Sequence, residues 1–251
     1  MFKTILSGLQ AYSGGFALIS KLKLWSYFAI PILISIVVAL LIISAAYGWS
    51  DNLGEWIANV WVWEWGKSAF TTIGTIVGGL VIIVIGLILF KHIIMALSAP
   101  FMSPVSEKIE AYITNSESVT SRKTTFMSQL WRGIKINGRN LIMELVLTVP
   151  ILLLKFIPIV NIFSTVLLFL VQAYYAGFGN LDYTLERHFS YKESIAFVKK
   201  HRGLSIGNGI GFLLLLLIPV VGVVLVLPLS VTAASVSTVK VLKSEHNALK
   251  P

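Results

Sequence analysis

"LLLKFIPIVN" spans Leu152 to Asn161, and "LLLLLIPVVG" spans Leu213 to Gly222. Each sets a proline inside a long apolar run, where the ring removes a helix hydrogen bond and interrupts the rod. Whether the chain crosses a membrane at these two places or turns back inside it decides the fold.

The surroundings of the two stretches are those of an integral membrane protein. Of 251 residues, 56% are hydrophobic and 12% charged; an ordinary soluble domain carries about 25% charged residues. Four apolar runs stand out: Leu24 to Tyr47, Thr71 to Phe90, Leu141 to Phe178 and Leu204 to Val239. The first two reach the roughly 20 residues that a spanning helix needs. "ISAAYG" at Ile43 to Gly48 resembles a signal-peptidase site. The run before it exceeds the roughly 7–15 residues of a signal core and follows an amphipathic segment, so it is read as a retained span. The chain has no cysteine, which excludes disulfides, thiolate catalysis and Cys-ligated metals.

Charge placement orients the runs. Asp51, Glu55 and Glu64 face a single Lys67 between the first two. The cations lie elsewhere: Lys3, Lys21 and Lys23; Lys91, Lys108, Arg122, Lys123, Arg132, Lys135 and Arg139; Arg187, Lys192, Lys199, Lys200 and Arg202; Lys240, Lys243 and Lys250. The positive-inside rule puts all these groups in the cytoplasm and the Lys67 side outside. Each proline-centred run then enters and leaves by the same face, as a hairpin. Taken as helix, Leu141–Phe156 is about 24 Å long and Ile162–Phe178 about 25 Å, short of the roughly 30 Å hydrocarbon core. Four further full spans are the alternative, because tilt and bilayer thinning absorb a few ångströms, and Lys155 could snorkel to the far surface.

The expected fold is therefore an all-α integral membrane protein: two long transmembrane helices, two re-entrant (hemi-penetrating) helical hairpins, and amphipathic interfacial helices, in one membrane domain. Its segments are an interfacial N-terminal helix at 1–23, the first span at 24–47, a Trp-rich external loop at 48–67 and the second span at 68–98. Cytoplasmic amphipathic helices at 102–140, the first hairpin at 141–178, a basic cytoplasmic segment at 180–203 and the second hairpin at 204–239 complete it. The loop holds five of the seven tryptophans, as an interfacial aromatic belt would. Gly74 with Gly78, and Gly207 with Gly211, have the small-xxx-small spacing of close helix contacts; at Gly207 and Gly211 we expect an oligomer contact.

Arg132, Lys135 and Arg139 sit at i, i+3 and i+7, so one helix face carries three cations. They either meet anionic lipid headgroups or form a funnel that concentrates anions at a pore mouth. Glu144, a turn deeper, either meets a cation, lines the pore, or stays in interfacial water. Catalytic motifs such as HExxH, a P-loop or a nucleophile elbow are missing. His92, His188, His201 and His246 show no ligand spacing, and Asp182 with Glu186 reads as ion pairing. No enzyme activity, cofactor, metal or nucleic-acid partner is expected.

"LSAPFMSPVSEKIE" (Leu97 to Glu110) and "NLDYTLERHFSYKES" (Asn180 to Ser194) resemble segments of the CysZ family of sulfate permeases, an etoposide-induced-protein-like membrane family, with matches at Asp182, Tyr183, Lys192 and Glu193. The two Ile-Pro turns and "LPLSVTAAS" (Leu227 to Ser235) follow in family order. The resemblance implies the same two spans and two hairpins, homo-oligomers built on dimers, an inner (plasma) membrane location, and sulfate uptake for cysteine synthesis. It also implies an anion site before the first span, where the family's Gly-Leu-Arg-Arg motif is replaced here by Lys23, Leu24, Trp25 and Ser26. Helix-start amides favour an anion, and Lys21 and Lys23 supply charge, although lysine lacks arginine's bidentate fork. The alternative for these two lysines is anchoring among lipid phosphates; the alternative for the whole chain is a non-transporting scaffold that binds anionic lipids or partner proteins through its basic face.

Overall fold

The computed structural model describes residues 1–59, 66–115, 124–154, 157, 160–218 and 221–248, and every regular element among them is helical. In chain order these are α1 (Phe2–Gln10), α2 (Gly15–Lys21), α3 (Trp25–Ala58), α4 (Lys67–Thr114), α5 (Phe126–Leu154), α6 (Asn161–His188), α7 (Tyr191–Lys200), α8 (Arg202–Leu216) and α9 (Val221–Ala248). The prolines of the two turns, Pro158 and Pro219, lie outside the described residues, as do Lys155, Trp61, Trp63, Glu64, Trp65, Arg122, Lys123 and Lys250.

Among the described residues, five helices are long and apolar enough to cross a membrane: α3, α4, α5, α6 and the Gly222–Asn247 part of α9. α8 has 15 residues and is about 22 Å long. Several boundaries differ from the sequence expectation. α3 runs on to Ala58, so the first part of the 48–67 stretch continues the span instead of forming a loop; nothing in "WSDNLGEWIA" breaks a helix. α4 likewise continues through Pro100 and Pro104 to Thr114, and α5 passes residue 140 without a break.

The chain divides into two compact units, Ser35–Lys91 and a larger one made of Met1–Ile34 with His92–Pro251. Within Ser35–Lys91, Gly74 and Gly78 face Gly54 and Ser50: a methyl group at Gly74 would lie 2.6 Å from the Gly54 carbonyl oxygen. That contact is the one the small-residue spacing predicts.

In the larger unit the second pair of glycines meets a different partner from the one expected. A methyl group at Gly207 would lie 2.1 Å from the Ile5 carbonyl oxygen, and one at Gly211 2.3 Å from the Tyr12 ring. α8 therefore uses this face to hold α1 and the turn that follows it, from its own chain. Tyr12 completes the contact by donating from its hydroxyl to the Asn208 carbonyl at 2.7 Å and hydrogen-bonding Ser230 Oγ at 2.9 Å; burial pushes its phenol pKa up, which keeps it a donor. The other faces of α8 are equally close-packed, with Gly177 of α6 against Ser205 and Gly209 of α8 against Ala173. An apolar cluster of Ile136, Phe178, Leu181, Leu185, Phe197, Val198, Leu204 and Ala234 joins α5 to α9. α7 is set by a capping box, Ser190 with Glu193, which satisfies two otherwise open N–H groups.

α5 shows how a membrane helix is patterned. Its exposed residues include Ile142, Leu145, Val146, Val149 and Leu153, while Gly133, Asn137, Asn140 and Glu144 are buried. Those four recur at i, i+4, i+7 and i+11, one helical stripe. Apolar outside and polar inside suits a helix between lipid and a polar interior.

Candidate functional site

The polar interior of the larger unit has two charged clusters, built mainly by α4, α5 and α6. In the first, Arg132 of α5 grips Asp182 of α6 through Nε and Nη2, each at 2.9 Å. The same guanidinium donates to the Phe189 carbonyl at 2.8 Å and to Ser194 Oγ at 2.7 Å. Bidentate geometry of this kind is the strongest form of the pair.

In the second, Glu110 of α4 accepts from Arg187 Nη2 at 2.9 Å through one oxygen and meets His188 Nε2 at 2.7 Å through the other. Arg187 is held further by the carbonyls of Ser103 and Tyr183 and by Ser106 Oγ. Ser103 Oγ bridges to Glu186 and accepts from Gln129 Nε2. The Glu110, Arg187 and His188 charges persist this deep in protein because they are paired with one another.

Deeper in the apolar zone, Glu144 of α5 meets His92 of α4 at 3.0 Å, with side-chain exposures of 1% and 3%. A histidine from another helix thus faces Glu144, where a cation from the basic segments was one expectation. Glu110 and His188 open into a cavity of about 560 Å3 that Lys243 and His246 of α9 also line. Both buried guanidiniums are occupied by carboxylates.

The other residues singled out from sequence lie as follows. Lys135 places its ammonium 4.5 Å from the Tyr191 ring, and Arg139 lies 5.6 Å from the Phe178 ring while donating to Asn140 Oδ1. Arg132, Lys135 and Arg139 thus have three separate destinations. Lys21 donates to Tyr112 Oη at 2.7 Å. Lys23 and Ser26 are exposed, Leu24 is buried, and Trp25 Nε1 donates to Ser20 Oγ. The Lys23 and Leu24 amides already donate to the Ser20 and Ile19 carbonyls, so an anion at this helix start would rest on the Trp25 and Ser26 amides. Among the described residues no group of three or more His, Asp or Glu gathers as metal ligands would.

The pairs Glu110–Arg187, Glu110–His188 and His92–Glu144 escaped the sequence reading, because their members are 52 to 78 positions apart. One local signal existed: Asn137, Asn140 and Glu144 fall at i, i+3 and i+7, on one helical face leading into the apolar half of the segment.

Apolar shell, polar paired interior and several membrane-length helices define a multi-pass α-helical membrane protein. Its family is equally plain: the family model described as Sulfate transporter CysZ/Etoposide-induced protein 2.4 matches residues 11–226, and the chain belongs to that family. It is similar to a protein named Sulfate transporter CysZ from Pseudomonas aeruginosa, 26% identical over 245 residues, which cover 94% of this chain and 95% of that one. A protein of the same name from Pseudomonas fluorescens is 24% identical over 249 residues, 96% of each chain. A third, from Pseudomonas syringae pv. tomato, is 29% identical over 164 residues, 64% of each.

Proposed function

We propose that this chain is an inner-membrane permease for sulfate or a related oxyanion, supporting sulfate uptake for cysteine synthesis. The observation that carries the reading is the inside-out patterning of α5, whose buried stripe of Asn137, Asn140 and Glu144 faces an interior of paired charges while its outer face is apolar. A protein built only to sit in lipid has no need of such an interior, because every buried charge costs desolvation. The names of the curated relatives supply the ion. Arg132, Lys135, Arg139 and Glu144 are the proposed anion path from the cytoplasmic side. Lys21, Lys23, Leu24, Trp25 and Ser26 are the proposed anion site at the start of α3.

Two features of the architecture accompany the reading. The second hairpin is re-entrant, which the 15-residue α8 supports, and so is the first, whose turn is flanked by exposed Leu153 and Ile162. Homo-oligomers built on dimers would cover these apolar faces. The occupancy of Arg132 and Arg187 by carboxylates favours a second reading, a non-transporting scaffold for anionic lipids or partner proteins. Radiolabelled sulfate flux into proteoliposomes separates the two: a permease gives uptake above empty vesicles, and a scaffold gives none. At the α3 start, Lys21→Gln with Lys23→Gln should weaken sulfate affinity about tenfold or more for each cation that touches the anion; equal affinity removes the site.

A further inference from the structure

α1 has three faces with different chemistry. Ile5, Gly8 and Tyr12 form the face packed on α8. Phe2 and Leu6 are exposed apolar residues at i, i+4. Lys3, Ser7 and Gln10, at i, i+4 and i+7, make a polar stripe. Ser7 and Gln10 form one wall of a cavity of about 230 Å3 in the elbow between α1, α2 and α9, with Ser13 and Gly14 at its end and Ser237 and Lys240 of α9 opposite. No acidic side chain lines it.

Two features hold the elbow in shape. Gly14 has φ 82, a left-handed turn that a side chain would strain. Gly15, next to it, rests on Leu229 and Thr232 of α9, and the buried Tyr12 hydroxyl ties the preceding turn to Ser230. The cavity is therefore built into the fold, with hydroxyl and amide donors around one ammonium. Leu6 and Phe16, the chain neighbours of the lining residues Ser7 and Gly15, are exposed apolar side chains at its edge.

We propose that this elbow binds a phosphate group, that of an anionic phospholipid headgroup, with Lys240 as the charged contact and Ser7, Gln10 and Ser13 as hydrogen-bond donors. A lone ammonium with convergent hydroxyls suits a singly charged phosphodiester. Leu6 and Phe16, next to Ser7 and Gly15 in the chain and both exposed, give the acyl chains an apolar place to lie, which a soluble anion would not need. The site is separate from the proposed transport route and stands independently of it.

The test is calorimetric titration of the full chain in a zwitterionic detergent with dihexanoyl phosphatidylglycerol, dihexanoyl phosphatidylcholine and inorganic phosphate. The expected result is saturable phosphatidylglycerol binding that Lys240→Gln weakens by about tenfold or more and Lys240→Arg retains, with phosphatidylcholine weaker. Inorganic phosphate binding as tightly as the lipid, with the same response to Lys240→Gln, upholds the phosphate site and assigns it to a soluble anion. Absence of saturable binding by the native chain, or equal binding by Lys240→Gln, overturns the proposal. Thermal unfolding of both variants, run in parallel, shows that a lost signal reflects binding and not misfolding.

Discussion

Lys23 has φ 53, and among the described residues only Asn115 is another non-glycine residue with positive φ. Left-handed backbone costs a side-chain-bearing residue about 1–2 kcal/mol. It is also the position where the resemblance to the sulfate permeases places a glycine, so the turn between α2 and α3 explains that glycine without reference to any ligand. Lys23→Gly should then be more stable than Lys23→Ala by about 1 kcal/mol, both variants having lost the charge; equal midpoints in detergent unfolding would refute the strain. The Arg132–Asp182 pair gives a second prediction. Removing either partner strands a largely buried charge, so Arg132→Ala and Asp182→Ala should each cost about 3–5 kcal/mol, and the double variant clearly less than their sum. Strict additivity in denaturant unfolding would show that the two groups do not depend on one another.

Helix contacts in the larger unit turn on glycines at particular crossings. A methyl group at Gly209 would lie 1.7 Å from the Ala173 carbonyl oxygen, and one at Gly177 1.8 Å from that of Ser205. Because those atoms belong to backbone, α6 and α8 must move apart to accept it, so Gly209→Ala and Gly177→Ala should each cost about 1–3 kcal/mol or more. Gly138 of α5 has nothing within 4 Å of the same position, and Gly138→Ala should gain about 0.5–1 kcal/mol. Thermal unfolding of the three variants checks the contrast; a stable Gly209→Ala protein would mean that the crossing is looser than drawn. Gly207 and Gly211 were legible as contact positions, but spacing says only that something approaches closely, and α1 took the place of a second subunit. The same limit governs α5. Its three cations at 132, 135 and 139 drew the eye to one face, while the buried stripe runs through 133, 137, 140 and 144, because polarity alone does not tell inward from outward. The apolar runs made the membrane helices plain, whereas Glu110 and Arg187 meet across 77 positions with no local pattern to announce it.

Across the whole molecule, the open matter is whether the first proline turn emerges from the membrane. Beside that turn Leu153 is 63%, Ile162 75% and Phe163 72% exposed in the single chain. Leaving such side chains in water forfeits about 1.5–3 kcal/mol each, so they belong in hydrocarbon or against a second copy. α5 and α6, with 29 and 28 residues, are about 42–44 Å long and could cross the roughly 30 Å core. Placing the paired clusters of Arg132, Asp182 and Arg187 at headgroup level, however, leaves less helix for the hydrocarbon. The chain has no cysteine, so single cysteines report cleanly. With an impermeant thiol reagent applied from outside, Lys67→Cys should label at once, Lys243→Cys only after permeabilisation, and Val160→Cys poorly in both conditions, as a tip held at membrane depth. Labelling of Val160→Cys from outside as fast as Lys67→Cys would make the first hairpin a pair of full spans. Partial labelling of all three from outside would mean that protomers insert in both orientations, and the charge rule would then not fix a single topology for this chain.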